Sequence, residues 1–548
     1  MEAAELFVKC LEAEGVEYVF GLPGEENAHL MLALADSSIR FVLTRHEQGA
    51  AFMADAYGRL AGKPGVCLST LGPGATNLVT GVADGNMDRA PMIAITGQAD
   101  SRRQHKESHQ SMDVVGMFRP ITKWATPVIH PDNVPEIVRK AFKLASQEKP
   151  GACHIELAED IAKSPASGQP IRPRELRRPV ADEKAIDKAM ALIRRAKQPI
   201  ILAGNGAIRK RASFQLRLFA QATGINVLST FMGKGCVDRH SPHCLFTIGL
   251  QAKDLVACAI DESDLVITLG YDMVEYHPRL WNARGAKIIL HIDFLPAEVD
   301  DHYRVELEVV GDVADALRRL NERMQAEPVR FDVDRHRTVR DGMLADFAAH
   351  KSDDTKGLIR PQKVLWDVRE AMGPSDILLS DVGAHKLWIA RYYHCDEPNT
   401  CLIPNGFCSM GFALPGAIAA KLVHPRRRVL AVCGDGGFLM NVQELECATR
   451  LGTNIVAMIW EDGAYGMISW KQQNEFGRQT DLSFGNPDFV KLAESFGCKG
   501  IRVGRSIDLA PALHEAFTAD RPCLIVIPID YRENRLLSDR LGNVPCPV

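Results

Sequence analysis

The chain has 548 residues, 46% of them hydrophobic and 24% charged, with a formal net charge of −4. That balance is ordinary for a globular protein of roughly two to four domains, and it offers no basic surface for nucleic acid or an anionic membrane. The fourteen cysteines are scattered without a C-x-x-C pair, no uncharged run is long enough to span a bilayer, and the N-terminus opens on an amphipathic helix (Leu6, Phe7, Cys10, Leu11), so the expectation is a cytoplasmic protein with reduced thiols and no targeting peptide.

Residues 1–165 alternate helical patterns with short apolar runs at Val16–Phe20, Phe41–Thr44, Val66–Thr70, Met92–Thr96 and Cys153–Leu157. Such runs predict a doubly wound parallel sheet. Three predicted strand ends carry unusual residues: Gly21-Leu22-Pro23-Gly24-Glu25, Arg45-His46-Glu47-Gln48 and Gly72-Pro73-Gly74-Ala75-Thr76-Asn77. Residues 164–180, rich in Pro and Arg, read as a surface linker. A second α/β block covers 182–325, with strands predicted at Pro199–Ala203, Asn226–Ser229, Leu265–Leu269 and Lys287–Ile292. The turn Gly204-Asn205-Gly206 lacks the third glycine of a dinucleotide fingerprint and reads as plain punctuation. Residues 326–360 are charged, poor in branched apolar side chains, and read as a connector. The third block, 361–535, has predicted strands at Ile377–Ser380, Val429–Cys433, Ile455–Trp460 and Leu524–Ile527. The fold class that follows is α/β, with three consecutive doubly wound parallel-sheet domains.

The third block carries the sharpest chemical signal. The run Val429–Cys433 breaks at Gly434-Asp435-Gly436-Gly437, where small residues let a backbone approach an anion closely. The next strand delivers Glu461-Asp462 to the same sheet edge. Asp435 and Asp462 are 27 residues apart, each at the C-terminal end of a predicted strand, where ligands sit in open α/β sheets. A lone Gly-Asp-Gly is a common turn, but a second acid at this place suits a hard divalent cation that keeps phosphate oxygens as further ligands.

This pattern resembles the signature of thiamine-diphosphate enzymes. The likeness runs from Val16 to about Asp530 and is strongest to acetolactate synthases, in Thr70 to Asn77, in Ile121-Thr122-Lys123 and around Met410. The resemblance implies that Asp435, Asp462 and the carbonyl of Ala464 hold Mg²⁺ against the diphosphate, within the turn formed by Gly434, Gly436 and Gly437. It implies that Val382, Gly383 and His385, in Asp381-Val382-Gly383-Ala384-His385, contact phosphate oxygens. In the run from Asn405 to Pro415, Met410 would wedge between the two rings of the cofactor, and a carbonyl near Cys408 would hold the 4′-nitrogen. Glu47, in a segment resembling R-H-E-x-x-A, would be the carboxylate on N1′ that favours the proton-abstracting imino tautomer, with Pro73 and Asn77 in the loop beside it. Met467 and Ile468 would shape an apolar pocket for the acyl group. Gln110 would orient the donor keto acid and His109 would bond a substrate carbonyl or carboxylate, although a loop of this polarity is also what solvation alone produces. In this superfamily Glu47 and Asp435 meet across a subunit interface, which makes a homodimer the minimum unit; a homotetramer is common among relatives.

Where the flavin-binding branch of acetolactate synthases has an Arg-Phe-Asp-Asp-Arg segment, this chain has Gly270 to Asn282, reading GYDMVEYHPRLWN. The resemblance therefore implies the FAD-free, catabolic type, and Asp462 and His109-Gln110 point the same way. Its reaction decarboxylates pyruvate and joins the two-carbon unit to a second small 2-oxo acid, giving 2-acetolactate. The alternative is a 2-oxo acid decarboxylase releasing an aldehyde. Those enzymes carry an acid at the place of Glu25, but also a His-His pair at 109–110 and a glutamate at Ile468, both missing here. Glu25 is expected to point away or to act on the acceptor carboxyl through water. An inactive regulatory homologue would have lost Glu47 or a metal carboxylate. Glu461 stands where the family usually has Asn.

Overall fold

The computed structural model describes residues 1–209, 211–249, 256–332 and 334–534. Residue 535, which closes the third predicted block, lies outside them. Three six-stranded sheets follow one another along the chain. The first is built from β1 (Tyr18–Gly21), β2 (Arg40–Leu43), β3 (Gly65–Ser69), β4 (Met92–Gln98), β5 (Trp124–Pro127) and β6 (Ala152–Ala158), in the order β2-β1-β3-β4-β6-β5. The second holds β7 (Pro199–Ala203), β8 (Asn226–Ser229), β9 (Cys244–Thr247), β10 (Leu265–Leu269), β11 (Ile288–Asp293) and β12 (Leu307–Val310), in the order β12-β11-β10-β7-β8-β9. The third holds β13 (Ile377–Ser380), β14 (Cys401–Leu402), β15 (Val429–Gly434), β16 (Val456–Glu461), β17 (Lys499–Arg502) and β18 (Cys523–Pro528), in the order β14-β13-β15-β16-β18-β17. Every pairing is parallel. The first and third sheets therefore have the same strand order, position for position.

The central strands are continuous apolar runs because helices cover both faces of each sheet. Val456 to Trp460 and Cys523 to Ile527 are at most 1% exposed along their whole length. Five strands fall outside the predicted runs: β5, β9, β12, β14 and β17. All five are edge strands. β5, β12 and β17 are only partly buried and need no unbroken apolar sequence, whereas β9 and β14 are buried but only four and two residues long.

The stretch 326–360 is not merely a connector. It contains the helix Asp334–Ala349, whose Val339, Met343 and Phe347 form a buried stripe at intervals of four residues. Phe347 packs on Phe246 (5.2 Å between ring centroids) and on His394 (4.0 Å). His336 and Arg340 are buried on the same helix, which is otherwise mostly charged or small.

The second sheet has the strand order of a dinucleotide-binding fold, with its switch point between β7 and β10. That crevice is filled by the chain itself. The N–H of Gly206 donates to the carbonyl of Gly270 (2.8 Å), and a Cβ on Gly206 would stand 2.5 Å from Gly270 Cα. The N–H of Asn205 donates to Glu275 Oε1 (2.9 Å). The first and third domains share one apolar core: the helix Glu47–Ala61 lies on the helix Ala413–Val423, and Phe52 meets Phe412 edge to face at 5.7 Å. Among the described residues, no helix is long and apolar enough to cross a membrane.

Candidate active site

β15 and β16 run parallel in register from Leu430↔Val456 to Gly434↔Trp460, so Asp435 and Asp462 emerge at the same sheet edge. Asp435 opens the helix Asp435–Met440, with Gly434 before it and Gly436 and Gly437 in its first turn. A Cβ on Gly436 would stand 3.0 Å from the Tyr465 ring and 3.2 Å from that of Phe484, so only glycine lets the turn lie this low. The Asp435 carboxylate, 1% exposed, is crowded with donors. Its Oδ2 accepts the N–H groups of Asp462 (3.0 Å) and Gly463 (2.7 Å) and Asn486 Nδ2 (2.8 Å), while Oδ1 accepts the Gly436 N–H (2.9 Å).

Asp462 stands at the rim. Burial of its carboxyl, and then the charge of Asp435, push its pKa up to about 7. Two carboxylates delivered to one sheet edge suit a divalent cation, and their all-oxygen character suits Mg²⁺. Ala464 follows in a bridge to Ser483. The Tyr465 N–H donates to Leu482 O (3.1 Å) and the Phe484 N–H to Gly463 O (2.9 Å), which fixes the peptides on both sides of Ala464. Glu461 takes no part in this cluster, because its carboxylate pairs with Arg502. Another possible set of metal ligands, Asp238, His240 and Asp396, lies in the second domain's border, but there Arg239 already bonds Asp396 at 2.9 Å.

After β13, Asp381, Val382 and Gly383 turn into the helix Ala384–Tyr392. Val382 and Gly383 are half-buried. His385 is 2% exposed, and burial pushes its imidazole down to about 3, so the ring is neutral. Its Nε2 is buried without a partner, and the ring lies 3.4 Å from where a Gly434 Cβ would be. An orphaned ring nitrogen beside a glycine turn fits a phosphate oxygen.

The loop Asn405–Gly411 is gripped from all three domains. Asp88 accepts the N–H groups of Asn405 (3.2 Å) and Gly406 (2.6 Å), and Asp84 that of Ser409 (3.0 Å). Asp381 accepts the Gly411 N–H (2.8 Å), and Asn441 Nδ2 donates to Gly411 O (2.8 Å). Asn405 Nδ2 donates to Glu275 O of the central domain (2.8 Å). Held this way, Cys408 is exposed with φ +62°, a left-handed conformation uncommon outside glycine, and Met410 is half-buried.

Glu47 is the first residue of its helix, where the partial positive charge of the helix end favours a carboxylate. It is 5% exposed, and Oε2 accepts Asn77 Nδ2 at 2.9 Å. The third domain positions this segment through Glu444, which is fully buried and accepts the N–H groups of Arg45 and His46 at 3.0 Å each. Burial pushes Glu444 up to about 7. Pro73 opens the helix Pro73–Met87, with Asn77 one turn along. Gln110 reaches the same loop: its φ is +57° and its carbonyl lies 2.6 Å from where a Gly72 Cβ would be. His109 is exposed in the neighbouring loop, and its carbonyl accepts Arg103 Nη2 at 3.3 Å. Glu25 is exposed on the turn Glu25–Asn27; Glu26, not Glu25, accepts the Thr70 hydroxyl (3.2 Å). Met467 is half-buried and Ile468 is 48% exposed, both at the start of the helix Gly466–Phe476.

The expected residues thus fall into two groups, one past the strands of the first sheet and one in the third domain. Among the described residues, no hydrogen bond or ion pair joins Glu47 to Asp435 or Asp462. Sequence reasoning missed Asn486, Glu444, Asp84 and Asp88. Asp88 left a trace, since an acid at a helix C-terminus is electrostatically misplaced unless it serves something else. Asn486 left none, because it sits in an irregular stretch far along the chain.

Three family models match successive parts of the chain. Residues 1–117 match the thiamine pyrophosphate enzyme N-terminal TPP binding domain, 186–320 its central domain and 381–527 its C-terminal TPP binding domain. The acetolactate synthase of Bacillus subtilis (strain 168) is 36% identical over 544 residues, covering 98% of this chain and 95% of that protein. The catabolic acetolactate synthase of Raoultella terrigena is 38% identical over 551 residues, covering 98% and 97%. A probable acetolactate synthase large subunit of Methanocaldococcus jannaschii is 36% identical over 569 residues, covering 100% and 96%. The chain belongs to the thiamine pyrophosphate enzyme family and is a thiamine-diphosphate-dependent enzyme of the acetolactate synthase type.

Proposed function

We propose that the enzyme decarboxylates pyruvate and condenses the two-carbon unit with a second 2-oxo acid to give 2-acetolactate, using thiamine diphosphate, Mg²⁺ and no FAD. The observation that carries the metal site is the pair of strand-end carboxylates, Asp435 and Asp462, brought to one sheet edge beside a glycine turn. Asp435, Asp462 and the Ala464 carbonyl would hold Mg²⁺, with His385 Nε2 and the Val382–Gly383 backbone toward the phosphates. When bound, the cofactor supplies the electron sink that decarboxylation of a 2-oxo acid requires.

The rest falls to the chain. Glu47 holds a proton at N1′, with Asn77 fixing its carboxylate, and the loop gripped by Asp84, Asp88 and Asp381 presents the Cys408 carbonyl and the Met410 side chain. Gln110 and His109 face incoming substrate from an exposed loop. Carboligation rather than aldehyde release is favoured where no acid stands ready to protonate. Ile468 and Gln110 cannot do so, and Glu25 sits on an exposed turn. The filled crevice between β7 and β10 supports the flavin-free reading. Tyr465, Ile468, Phe476 and Phe407, between 41% and 65% exposed, offer apolar surface of the kind a second subunit covers, which fits a homodimer as the minimum unit, with homotetramers built from such pairs.

Incubation with pyruvate, thiamine diphosphate and Mg²⁺ tests this reading. Acetolactate should dominate, and Glu25→Gln should leave it mostly intact. Acetaldehyde as the main product, abolished by Glu25→Gln, would establish the decarboxylase instead.

A further inference from the structure

The loop between β4 and the helix Val114–Phe118 carries His109 and Gln110, and most of its residues face solvent. Several of its hydrogen bonds lie at or near the surface. Arg103 Nε donates to Ser108 Oγ (2.9 Å), Arg103 Nη2 to His109 O (3.3 Å), and the Ser101 N–H to Asp160 Oδ1 (2.9 Å). Water competes for such bonds, so each holds the loop weakly.

One buried side chain ties the two ends of the loop together. Gln98, the last residue of β4, is 3% exposed. Its Oε1 accepts the Ala99 N–H (2.9 Å) where the loop leaves the sheet, and its Nε2 donates to Met112 O (3.0 Å) where the loop returns. Nε2 also donates to Glu156 Oε2 on the neighbouring strand β6 (2.9 Å). Glu156 is 5% exposed and stands opposite Thr96 in the register of β4 and β6. A primary amide has two N–H donors and one carbonyl, so all three groups of Gln98 are engaged and its rotation is fixed. The low dielectric strengthens these bonds and penalises any member left unpaired. Burying a carboxylate is unfavourable, and the donor that meets this one is a neutral amide. Such a pair contributes little to stability that two apolar residues would not; what it fixes is the place of the loop.

Two residues before Met112 stands Gln110, whose φ is +57° and whose carbonyl lies 2.6 Å from where a Gly72 Cβ would be. Gly72 leads into the helix Pro73–Met87, whose Asn77 holds Glu47 at 2.9 Å. The Gln98 amide therefore sets where Gln110 lies beside the first-domain half of the site.

We propose that Gln98 and Glu156 are positioning residues that hold Gln110 and His109 toward the incoming 2-oxo acid, an inference that rests on the substrate role proposed above for those two residues. Gln98 fixes both ends of the loop, and Glu156 fixes Gln98. Loss of either leaves Gln110 and His109 scattered over many positions, which weakens their hold on substrate, while Asp435, Asp462 and His385 in the third domain are untouched.

The test compares Gln98→Leu, Glu156→Leu and Glu156→Gln in the full-length holoenzyme. Limited trypsin digestion reports on the loop itself, which offers Arg102, Arg103 and Lys106 for cleavage. Cleavage there should quicken about tenfold in both leucine variants. It should keep the wild-type rate in Glu156→Gln, whose side-chain carbonyl still accepts from Gln98. The KM for pyruvate should rise roughly tenfold in the leucine variants, the scale of one lost hydrogen bond, with retention of thiamine diphosphate unchanged and Glu156→Gln again like wild type. If a leucine variant fails to fold because its partner is left unpaired, the double variant Gln98→Leu/Glu156→Leu, which leaves neither side chain unpaired, takes its place. Wild-type cleavage rates in the leucine variants would overturn the proposal. So would faster cleavage with an unchanged KM in an enzyme that makes acetolactate. A wild type that makes no acetolactate would instead contradict the proposed reaction, and the cleavage rates would still decide whether Gln98 and Glu156 hold the loop.

Discussion

The first and third sheets have the same strand order and back onto one another through the helices Glu47–Ala61 and Ala413–Val423. Their C-terminal edges are nonetheless equipped differently. The third sheet presents two acids and a glycine turn, with Asp435 accepting four hydrogen bonds. The first presents a buried acid, Glu47, at a helix N-terminus with one side-chain donor. On the proposed function, one frame would serve a site for cations and phosphate past one sheet and a site for proton chemistry past the other. A handful of residues just past the strand ends makes the difference, and each sheet also steadies the other's loop. Glu444 of the third domain holds the Glu47 segment, and Asp84 and Asp88 of the first hold the loop 405–411.

Substitutions on the two edges should separate binding from chemistry. Asp435→Ala and Asp462→Ala should have the largest effect, reducing turnover to background and abolishing retention of thiamine diphosphate on gel filtration. Wild-type retention in both would show the metal assignment to be wrong. Glu47→Gln should keep the cofactor yet slow exchange of its C2 hydrogen roughly 10²–10⁴-fold, measured by quenched-flow NMR; unchanged exchange would remove Glu47 from that role. Asn486→Ala, which strips one donor from Asp435, should weaken Mg²⁺ binding about 10–100-fold in a metal titration.

The smallest effect is on stability. Under the loop 405–411, burial and the nearby Asp88 push Asp55 up from 3.8 to about 7, even though Arg59 opposes the shift. A carboxyl raised in the folded state stabilises fully below its unfolded pKa, and that stability is lost as pH rises from about 4 to about 7. Thermal unfolding of the apoenzyme should therefore shift to lower temperature across that window, and Asp55→Asn should flatten the slope. A wild-type slope in the variant would mean that other groups carry it.

What the sequence made legible was whatever recurs locally. Buried strands such as Val429–Cys433 announce themselves as apolar runs, and Asp435 and Asp462 stand out because glycines and strand ends frame them. Edge strands such as Lys499–Arg502 lack that signal, since half of their surroundings is solvent. The helix Asp334–Ala349 was hidden because its buried apolar stripe is just Val339, Met343 and Phe347, and the polar His336 and Arg340 are buried beside it. Asn486, Glu444 and Asp88 act on residues 51, 398 and 317 positions away, and no local pattern records such a contact.

The central claim is that Glu47 and the Asp435–Asp462 pair serve the same reaction from different subunits. It can be tested by co-refolding two inactive variants, Glu47→Gln and Asp435→Ala, and measuring acetolactate formation. Mixed dimers should regain activity well above the sum of the parents, because one of their two sites has both halves intact. Activity that stays at that sum, in samples where mass spectrometry finds mixed dimers, would place both halves in one chain and contradict the account.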